Sequence, residues 1–493
     1  MNVGHSPFDQ GKVVFLILPW LVAPSYGPSP AIVPMLVTWA ALGFYVLFEG
    51  AKVKRGWDIP VAWLLSAAIS GTFAVCQYFS LADALPWISP AKAGEAYGNL
   101  RQRNQFATLC NIGLAVLLFR AGLEQDAGRK MTWWAAVAAL FLMATNAASG
   151  SRTGLVQLFT LFVLLALWHG LIGALRDPVL RAATLGYVLA ALGFALLGAL
   201  QHTGGGIWSR VQDAAPACAS RTVLWSNVLH LIAQKPWFGW GWGELDYAHF
   251  ITLYPGERFC EILDNAHNLP LHLAVELGIP AAAVFFGGCA WLVLRNRPWA
   301  EKDPTRQMAW SVLAVIGLHS MLEYPLWYGP FQLAVVLSLW LLWRNPEEHV
   351  ASVQASLSVR VVTGAAVAAL LVLCAFVAWD YWRISQIYLP PAARHAAYRE
   401  DTMAKIQGSW FFKEQVQFAE LSTTTLAPDN AAHIHELARR MLHFSPDPRV
   451  VEKVIESAVM LQQDEDALFY LQRYKAAFPA QHARWSAALK VPQ

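Results

Sequence analysis

The chain has 493 residues, 56% of them hydrophobic and only 14% charged, with a mean hydropathy of +0.38 and a formal net charge of +3. That composition excludes an ordinary soluble domain and marks a polytopic membrane protein. The near-balanced charge shows neither a basic arm for nucleic acid nor an acidic tail, so charge alone names no partner.

Taken in chain order, apolar runs of about 20 residues, enough to cross roughly 30 Å of hydrocarbon, begin near Val13, Ala31, Ile59, Phe106, Met131, Leu155, Val179, Ile279, Met308, Phe331 and Val361. The expectation is an all-α fold with about eleven transmembrane helices over residues 1–386. The first run does not read as a cleaved signal peptide, because its flank holds only Lys12 and Pro19 interrupts it. Basic residues fall in every second loop: Lys52, Lys54 and Arg55; Arg120, Arg129 and Lys130; Arg176 and Arg181; Arg295, Arg297, Lys302 and Arg306; Arg344 and Arg360. Such loops stay cytoplasmic, which turns the loops near Arg152, over residues 201–266 and around Glu323 to the opposite face. The loop with Lys92, Arg101 and Arg103 is the exception, being basic yet outward.

Cys76, Cys110, Cys289 and Cys374 lie within spans and read as small apolar side chains, whereas Cys218 and Cys260 share the large outer loop. In an oxidising periplasm that pair is expected to form a disulfide. Beyond residue 387 the apolar runs cease, and a soluble helical domain over 387–493 is expected. Within it Ala432, Leu437 and Met441, then Ala467, Leu468, Leu471 and Ala476, recur at helical spacing and suggest tetratricopeptide-like helix pairs.

Three polar positions stand out at the outer ends of apolar runs: Arg152 in SGSRTG, Arg221 in CASRTVLW and His267 in DNAHNLPLHLAVELGIP. A lipid-linked diphosphate sugar presents two phosphates at headgroup level, and arginine meets phosphate oxygens with a planar, permanently charged fork. Cations there stabilise the diphosphate more as it leaves than before, while a neutral imidazole suits removal of a proton from an acceptor hydroxyl. Asp264 or Asn265 is expected to cap the helix that starts near His267, with Pro270 tolerated in its first turn. Plainer readings stand beside these. Arg152 as a snorkelling interfacial residue and Arg221 at the start of an in-plane amphipathic helix are both compatible with the pattern. The Trp-rich stretch KPWFGWGWGELDY reads as a membrane anchor or as an aromatic sugar platform. His202, His230, His249 and His272 give no metal-ligand spacing with His267.

The ordered motifs SGSRTG, Arg-Thr-x-x-Trp leading into KPWFGWGWGEL, and AHNLPLHLAVELGIP resemble those of the bacterial O-antigen ligase and polymerase superfamily. The resemblance runs from about Asn99 to Arg344, and GNLRQRNQFATL and LEYPLWYGPF are most similar to the pilin-type protein O-oligosaccharyltransferases. It implies a GT-C-like, metal- and cofactor-free enzyme of the inner membrane with a periplasmic site. Its expected partners are an undecaprenyl diphosphate-linked glycan, membrane lipid and an exported acceptor such as a pilin. By resemblance Arg152 and Arg221 engage the diphosphate and His267 is the base. Arg210, Arg101 and Arg103, with Asn268, Glu323 and Tyr324, join as candidate substrate-binding residues. Ligation of O-antigen to a lipopolysaccharide core is the alternative. A transporter or flippase is more remote, since ionisable groups gather at one face rather than in mid-span.

Overall fold

A computed structural model describes residues 7–23, 25, 27–49, 58–126, 133–201, 216–343 and 357–489. Among the described residues the fold is helical throughout, with no strand. The helices are α1 (Pro7–Leu21), α2 (Ile32–Glu49), α3 (Asp58–Tyr78), α4 (Arg103–Asp126), α5 (Trp133–Ala148), α6 (Arg152–Arg176) and α7 (Pro178–Gln201). Next come α8 (Arg221–Gln234), α9 (Leu245–Ile251), α10 (Leu269–Leu277), α11 (Ile279–Asn296), α12 (Pro304–Ser320), α13 (Gly329–Trp343) and α14 (Leu357–Ser385). The series closes with α15 (Thr402–Ile406), α16 (Lys413–Thr423), α17 (Ala431–Met441), α18 (Pro448–Met460), α19 (Asp464–Ala477) and α20 (Pro479–Leu489). Four described helices are long and apolar enough to cross a membrane, over Asp58–Tyr78, Arg152–Arg176, Ile279–Ala300 and Leu357–Tyr388. Shorter apolar helices cover Gly11–Leu21, Ile32–Phe48, Trp133–Ala148, Pro178–Phe194 and Gly329–Trp343.

The chain divides into two compact units, Met1–Asp213 with Val293–Ala378, and Ala214–Leu292 with Trp379–Gln493. In the first unit α4 is central, packing against α3, α5, α6 and α12. Its buried Phe106, Leu109, Ile112, Leu114 and Leu117 interleave with Trp63 of α3 and Val312 and Val315 of α12. Small residues let the helices approach closely where lipid supplies no hydrophobic driving force between them. A Cβ on Gly113 would come within 2.8 Å of Ala67 and 2.9 Å of Leu142, and one on Gly186 of α7 would fall on the backbone of Leu140 in α5. By contrast α6 leaves Leu155, Phe159, Val163 and Leu167 exposed along one face, as a lipid-facing helix should.

The second unit has two cores. Leu224, Val228, Leu231 and Ile232 of α8 pack with Leu245, Ala248, Leu263, Ala266 and Val275. The apolar stripe of α8 is therefore the inner face of a protein core, not a bare membrane-plane surface, although Leu229 remains exposed. The other core joins Phe250 of α9 to Ile434, Leu437 and Met441 of α17, Val450, Val451 and Val454 of α18, and Tyr470 and Tyr474 of α19. Polar contacts reinforce that join: His443 hydrogen-bonds Glu244 at 2.7 Å and stacks on Tyr247 at 3.7 Å, and Arg473 donates to the Ile251 carbonyl at 2.8 Å. Helices α17 to α20 each pack on the next in the chain. The buried face differs from the expected one. Ala432 of α17 is exposed, and so are Leu468 and Ala476 of α19, because Tyr470 and Tyr474 turn α19 so that their large rings are inside, where Tyr474 also donates to Glu452 at 2.5 Å.

Candidate functional site

In the first unit the site begins with how α6 starts. Ser151 is the N-cap; its hydroxyl accepts from the Gly154 amide at 3.0 Å and donates to Asn104 Oδ1 at 2.7 Å. Asn104 in turn donates to Glu323 Oε1 at 3.4 Å. That chain gathers the GNLRQRNQF, SGSRTG and LEYPLWY segments at one end of the unit. Arg152 occupies the first helical position, exposed, beside buried Ser151 and Thr153. A Cβ on Gly154 would fall on the Asn146 side-chain oxygen and come within 2.7 Å of Ala107, so the glycine of SGSRTG lets α6 lie against its neighbours. Arg103, first residue of α4, pairs with Glu95 at 2.5 Å, which neutralises part of the basic segment before α4. Arg101 is exposed with a left-handed backbone (φ +55), and Tyr324 stacks on Tyr328 with ring centroids 6.0 Å apart.

Below this end lies a buried polar network. The Thr108 hydroxyl donates to the Asn104 carbonyl at 2.8 Å and accepts from Gln157 Nε2 at 2.8 Å, so His319 Nδ1, 2.9 Å away, is assigned as a donor to the same oxygen. Gln157 also donates to the Val315 carbonyl at 2.9 Å. Helices α4, α6 and α12 are thus tied together directly beneath Arg152.

The second unit repeats the pattern at α8. Ser220 is its N-cap, accepting from the Val223 amide at 3.3 Å, and Arg221 is its first residue. A Ser-Arg-Thr run starts both helices, at 151–153 and 220–222. Cys218 and Cys260 are joined by a disulfide with Cα atoms 5.4 Å apart. Asn227 of α8 donates to the Glu257 carbonyl at 2.9 Å and accepts from the Phe259 amide at 2.8 Å, holding the segment that carries Cys260. Trp225 Nε1 donates to the Ala266 carbonyl at 3.1 Å, so the Trp of Arg-Thr-x-x-Trp grips the peptide next to His267.

His267 itself is partly buried and left-handed (φ +49), a strained backbone for a residue with a Cβ. Asn265 Oδ1 accepts from its amide at 2.9 Å. The cap of α10 is Asn268, which accepts from the Leu271 amide at 3.1 Å, rather than Asp264 or Asn265. The helix starts later than expected because Pro270, lacking an N–H, belongs in the first turn, and Asn265 is already committed to the turn before it. His267 therefore sits immediately before a helix N-terminus, as Arg152 and Arg221 sit just inside theirs. All three helix starts carry positive backbone charge, where cationic side chains are disfavoured unless an anion joins them.

The Trp-rich stretch forms a clasp on this helix. Trp240 and Gly241 amides donate to the carbonyls of Val275 and Glu276 at 2.9 and 3.0 Å, and the Ile279 amide to the Pro236 carbonyl at 2.8 Å. Gly278 (φ +87, ψ 161) and Gly239 (φ +69) lie where the two segments of the clasp meet; a Cβ on Gly278 would fall on the Trp237 carbonyl. Gly278→Ala, in a region only glycine occupies readily and against an immovable backbone, is expected to cost about 2–3 kcal/mol. Thermal unfolding of the purified protein checks this, and an unchanged midpoint refutes it.

Buried titratable groups surround the clasp. His249 accepts from Tyr254 at its Nδ1 (2.8 Å) and donates from Nε2 to the Phe259 carbonyl (3.1 Å); burial pushes its pKa down to about 3, so it is a neutral structural histidine. His272 is likewise lowered to about 4, by burial and then by His267. Burial raises Glu276 to about 7, and raises Asp246 to about 8 with help from Glu244 and Asp264. The folded chain thus keeps Asp246 protonated where the unfolded chain releases that proton near the ordinary value of about 3.9. Its contribution to stability is full below about pH 4 and falls as pH rises toward about 8. Asp246→Asn should flatten the fall of the unfolding midpoint between pH 5 and 8, taking about as the scale the pKa window above. A slope equal to that of the intact protein refutes it.

Of the expected site residues, Arg101, Arg103, Arg152, Glu323 and Tyr324 belong to the first unit, and Arg221, His267, Asn268, Cys218 and Cys260 to the second. Arg210 lies outside the described residues. Asn104, Trp225 and the N-caps Ser151 and Ser220 were not singled out from sequence, although the duplicated Ser-Arg-Thr run was a readable cap signal.

Comparison with known proteins gives three family matches: protein glycosylation ligase over residues 96–121, O-antigen ligase over 135–286, and the C-terminal region of virulence factor membrane-bound polymerases over 307–491. The chain is thus similar to O-antigen ligases through its middle and to protein glycosylation ligases over a short segment before it. The ligase match holds Arg152, Arg221, the clasp and His267, and the glycosylation segment holds Arg101, Arg103 and Asn104. The chain is 26% identical over 329 residues to the general O-oligosaccharyltransferase of Acinetobacter baylyi, covering 64% of this chain and 56% of that protein. It is 24% identical over 285 residues to the ComP-specific O-oligosaccharyltransferase of the same organism, covering 56% and 49%. The chain spans about half the length of the curated relatives it matches.

Proposed function

We propose that the protein is a glycosyltransferase that moves an oligosaccharide en bloc from undecaprenyl diphosphate to a Ser or Thr hydroxyl of an exported protein such as a pilin. The observation that carries this reading is the placement of Arg152, Arg221 and His267 at three capped helix N-termini, all suited to an anionic substrate. In the reaction the bond between the anomeric carbon and the diphosphate oxygen breaks as the acceptor oxygen bonds to that carbon. His267 takes the hydroxyl proton and later releases it to solvent. Arg152 and Arg221 hold the diphosphate as its negative charge grows, with Arg101, Arg103 and Arg210 as further phosphate contacts. Asn268, Glu323 and Tyr324 are assigned to substrate binding. About eleven membrane crossings, an active face in the periplasm of the bacterial inner membrane and a tetratricopeptide-like acceptor platform at the C-terminus complete the proposal. The similarity of residues 96–121 to protein glycosylation ligases favours a protein acceptor. The O-antigen ligase match over 135–286 keeps ligation to a lipopolysaccharide core as the second reading.

The test is transfer from a defined undecaprenyl diphosphate glycan to a pilin and to a lipopolysaccharide core, side by side. Pilin glycosylation is expected. Transfer to the core alone moves the protein to the second reading, and transfer to neither removes both. Arg152→Lys and Arg221→Lys keep the charge but lose the planar fork, and each should lower transfer by about tenfold or more; undiminished rates would remove the arginines from phosphate binding.

A further inference from the structure

The last membrane helix is longer than a bilayer requires. At 29 residues, α14 extends about 43 Å at 1.5 Å per residue, against roughly 30 Å of hydrocarbon crossed in about 20 residues. Counted from Val361, where the apolar run begins after Arg360, the hydrocarbon ends near Trp379, and Asp380 to Ser385 project into the headgroup layer. Val372, Phe376 and Trp379 lie along one exposed face of the helix, and the Arg383 guanidinium sits over the Trp379 ring at 4.8 Å.

Asp380, in this projecting part, fixes a piece of the C-terminal helical region at the same level. Its buried carboxylate pairs with Arg383 at 2.7 Å. The other oxygen accepts from the Ser409 hydroxyl at 2.8 Å and from the Trp410 and Phe411 amides at 3.0 and 3.1 Å. Phe412 points inward onto Tyr381, with ring centroids 5.2 Å apart. The same turn points Trp410 outward, 81% exposed, with Phe411 beside it also exposed. A turn held by three hydrogen bonds to a buried carboxylate cannot fold these rings away. The same unit has a matching pair beside the start of α11. The Ile279 amide is bonded to the Pro236 carbonyl, and the next two residues, Trp237 and Phe238, are 72% and 90% exposed. The residues that follow Ile279 in α11 are themselves almost wholly exposed apolar side chains of a candidate span.

We propose that the turn at Trp410 and Phe411 and the tip at Trp237 and Phe238 insert into the boundary between lipid headgroups and acyl chains, so that the C-terminal helical region rests on the bilayer surface. The occupant is lipid because both sets continue exposed apolar faces of candidate spans, and because Trp and Phe at such a boundary bury their rings while the Trp N–H stays hydrated. The proposal is independent of the reaction assigned above.

The full chain is reconstituted in nanodiscs of phosphatidylethanolamine and phosphatidylglycerol, with the free cysteines Cys76, Cys110, Cys289 and Cys374 replaced by alanine. A nitroxide is placed singly through Phe238→Cys, Trp410→Cys or Phe411→Cys, with Val459→Cys, exposed on α18, as reference. Collision with oxygen should exceed collision with a water-soluble nickel chelate several-fold at 238, 410 and 411, relative to 459. Nickel accessibility at 410 and 411 equal to that at 459 overturns the proposal, since it leaves the turn in water. Dipolar broadening between labels at 410 or 411 also overturns it, by showing a second copy of the chain on the surface. Trp410→Cys and Phe411→Cys report the same turn, so a fold lost in one leaves the other decisive.

Discussion

His267→Ala is expected to abolish most glycan transfer while leaving the protein folded. Positioned general bases contribute about 10²–10⁴-fold, and in the proposed reaction the diphosphate is already a good leaving group, which makes deprotonation of the acceptor hydroxyl the step that most needs help. Three contacts that hold the local fold run through other groups. Asn268 caps α10, Asn265 holds the preceding turn through the His267 backbone amide, and Trp225 grips the Ala266 carbonyl, none of them using the His267 ring. The left-handed φ of His267 suits histidine somewhat better than alanine, so the substitution carries a small backbone cost beside the loss of the imidazole. The measurement is single-turnover transfer alongside the thermal unfolding midpoint. A rate within about threefold of the intact protein, well short of what a positioned base supplies, would remove His267 from the chemistry. A large fall in the midpoint would instead assign the histidine a structural role.

Loss of the Cys218–Cys260 disulfide has the largest expected effect on stability. The bridge spans 42 residues, and closing a loop of that length removes about 4 kcal/mol of chain entropy from the unfolded state in the chain-entropy model. The consequence reaches the candidate site, because Cys218 lies three residues before Arg221 and Cys260 seven before His267. With the bridge intact, Asn227 and Trp225 need only hold a segment already brought near α8. A Cys218→Ser/Cys260→Ser pair is therefore expected to unfold at much lower temperature, and reductant should inactivate the native chain but not further affect the variant. Equal midpoints for the two proteins would show that the hydrogen bonds of Asn227 and Trp225 suffice alone.

Much of the fold class was legible because its signal is local. Composition and apolar run length speak for membrane helices, and α3, α6, α11 and α14 reach spanning length. Boundaries and faces were less legible. The buried side of α19 is chosen by Tyr470 and Tyr474, since two tyrosine rings bury more surface than Leu468 and Ala476, and no spacing rule weighs ring area. The cap before α10 was misplaced by one turn, because three candidates, Asp264, Asn265 and Asn268, compete in five residues.

What the sequence by itself determined was the helical, lipid-compatible character of the chain, the motifs shared with the ligases it resembles, and the Cys218–Cys260 pair that the structure joins. Those properties reside in residue type and short-range order, which hydropathy, charge and spacing report directly. Only the tertiary structure decided that Asn104 links Ser151 to Glu323, that Trp225 grips the peptide beside His267, and that the loop over 214–292 shares a unit with the C-terminal helices. Each is a contact between segments tens to hundreds of residues apart. Their partners are ordinary polar or apolar side chains, and the closing of long loops that brings them together leaves no mark in the local sequence.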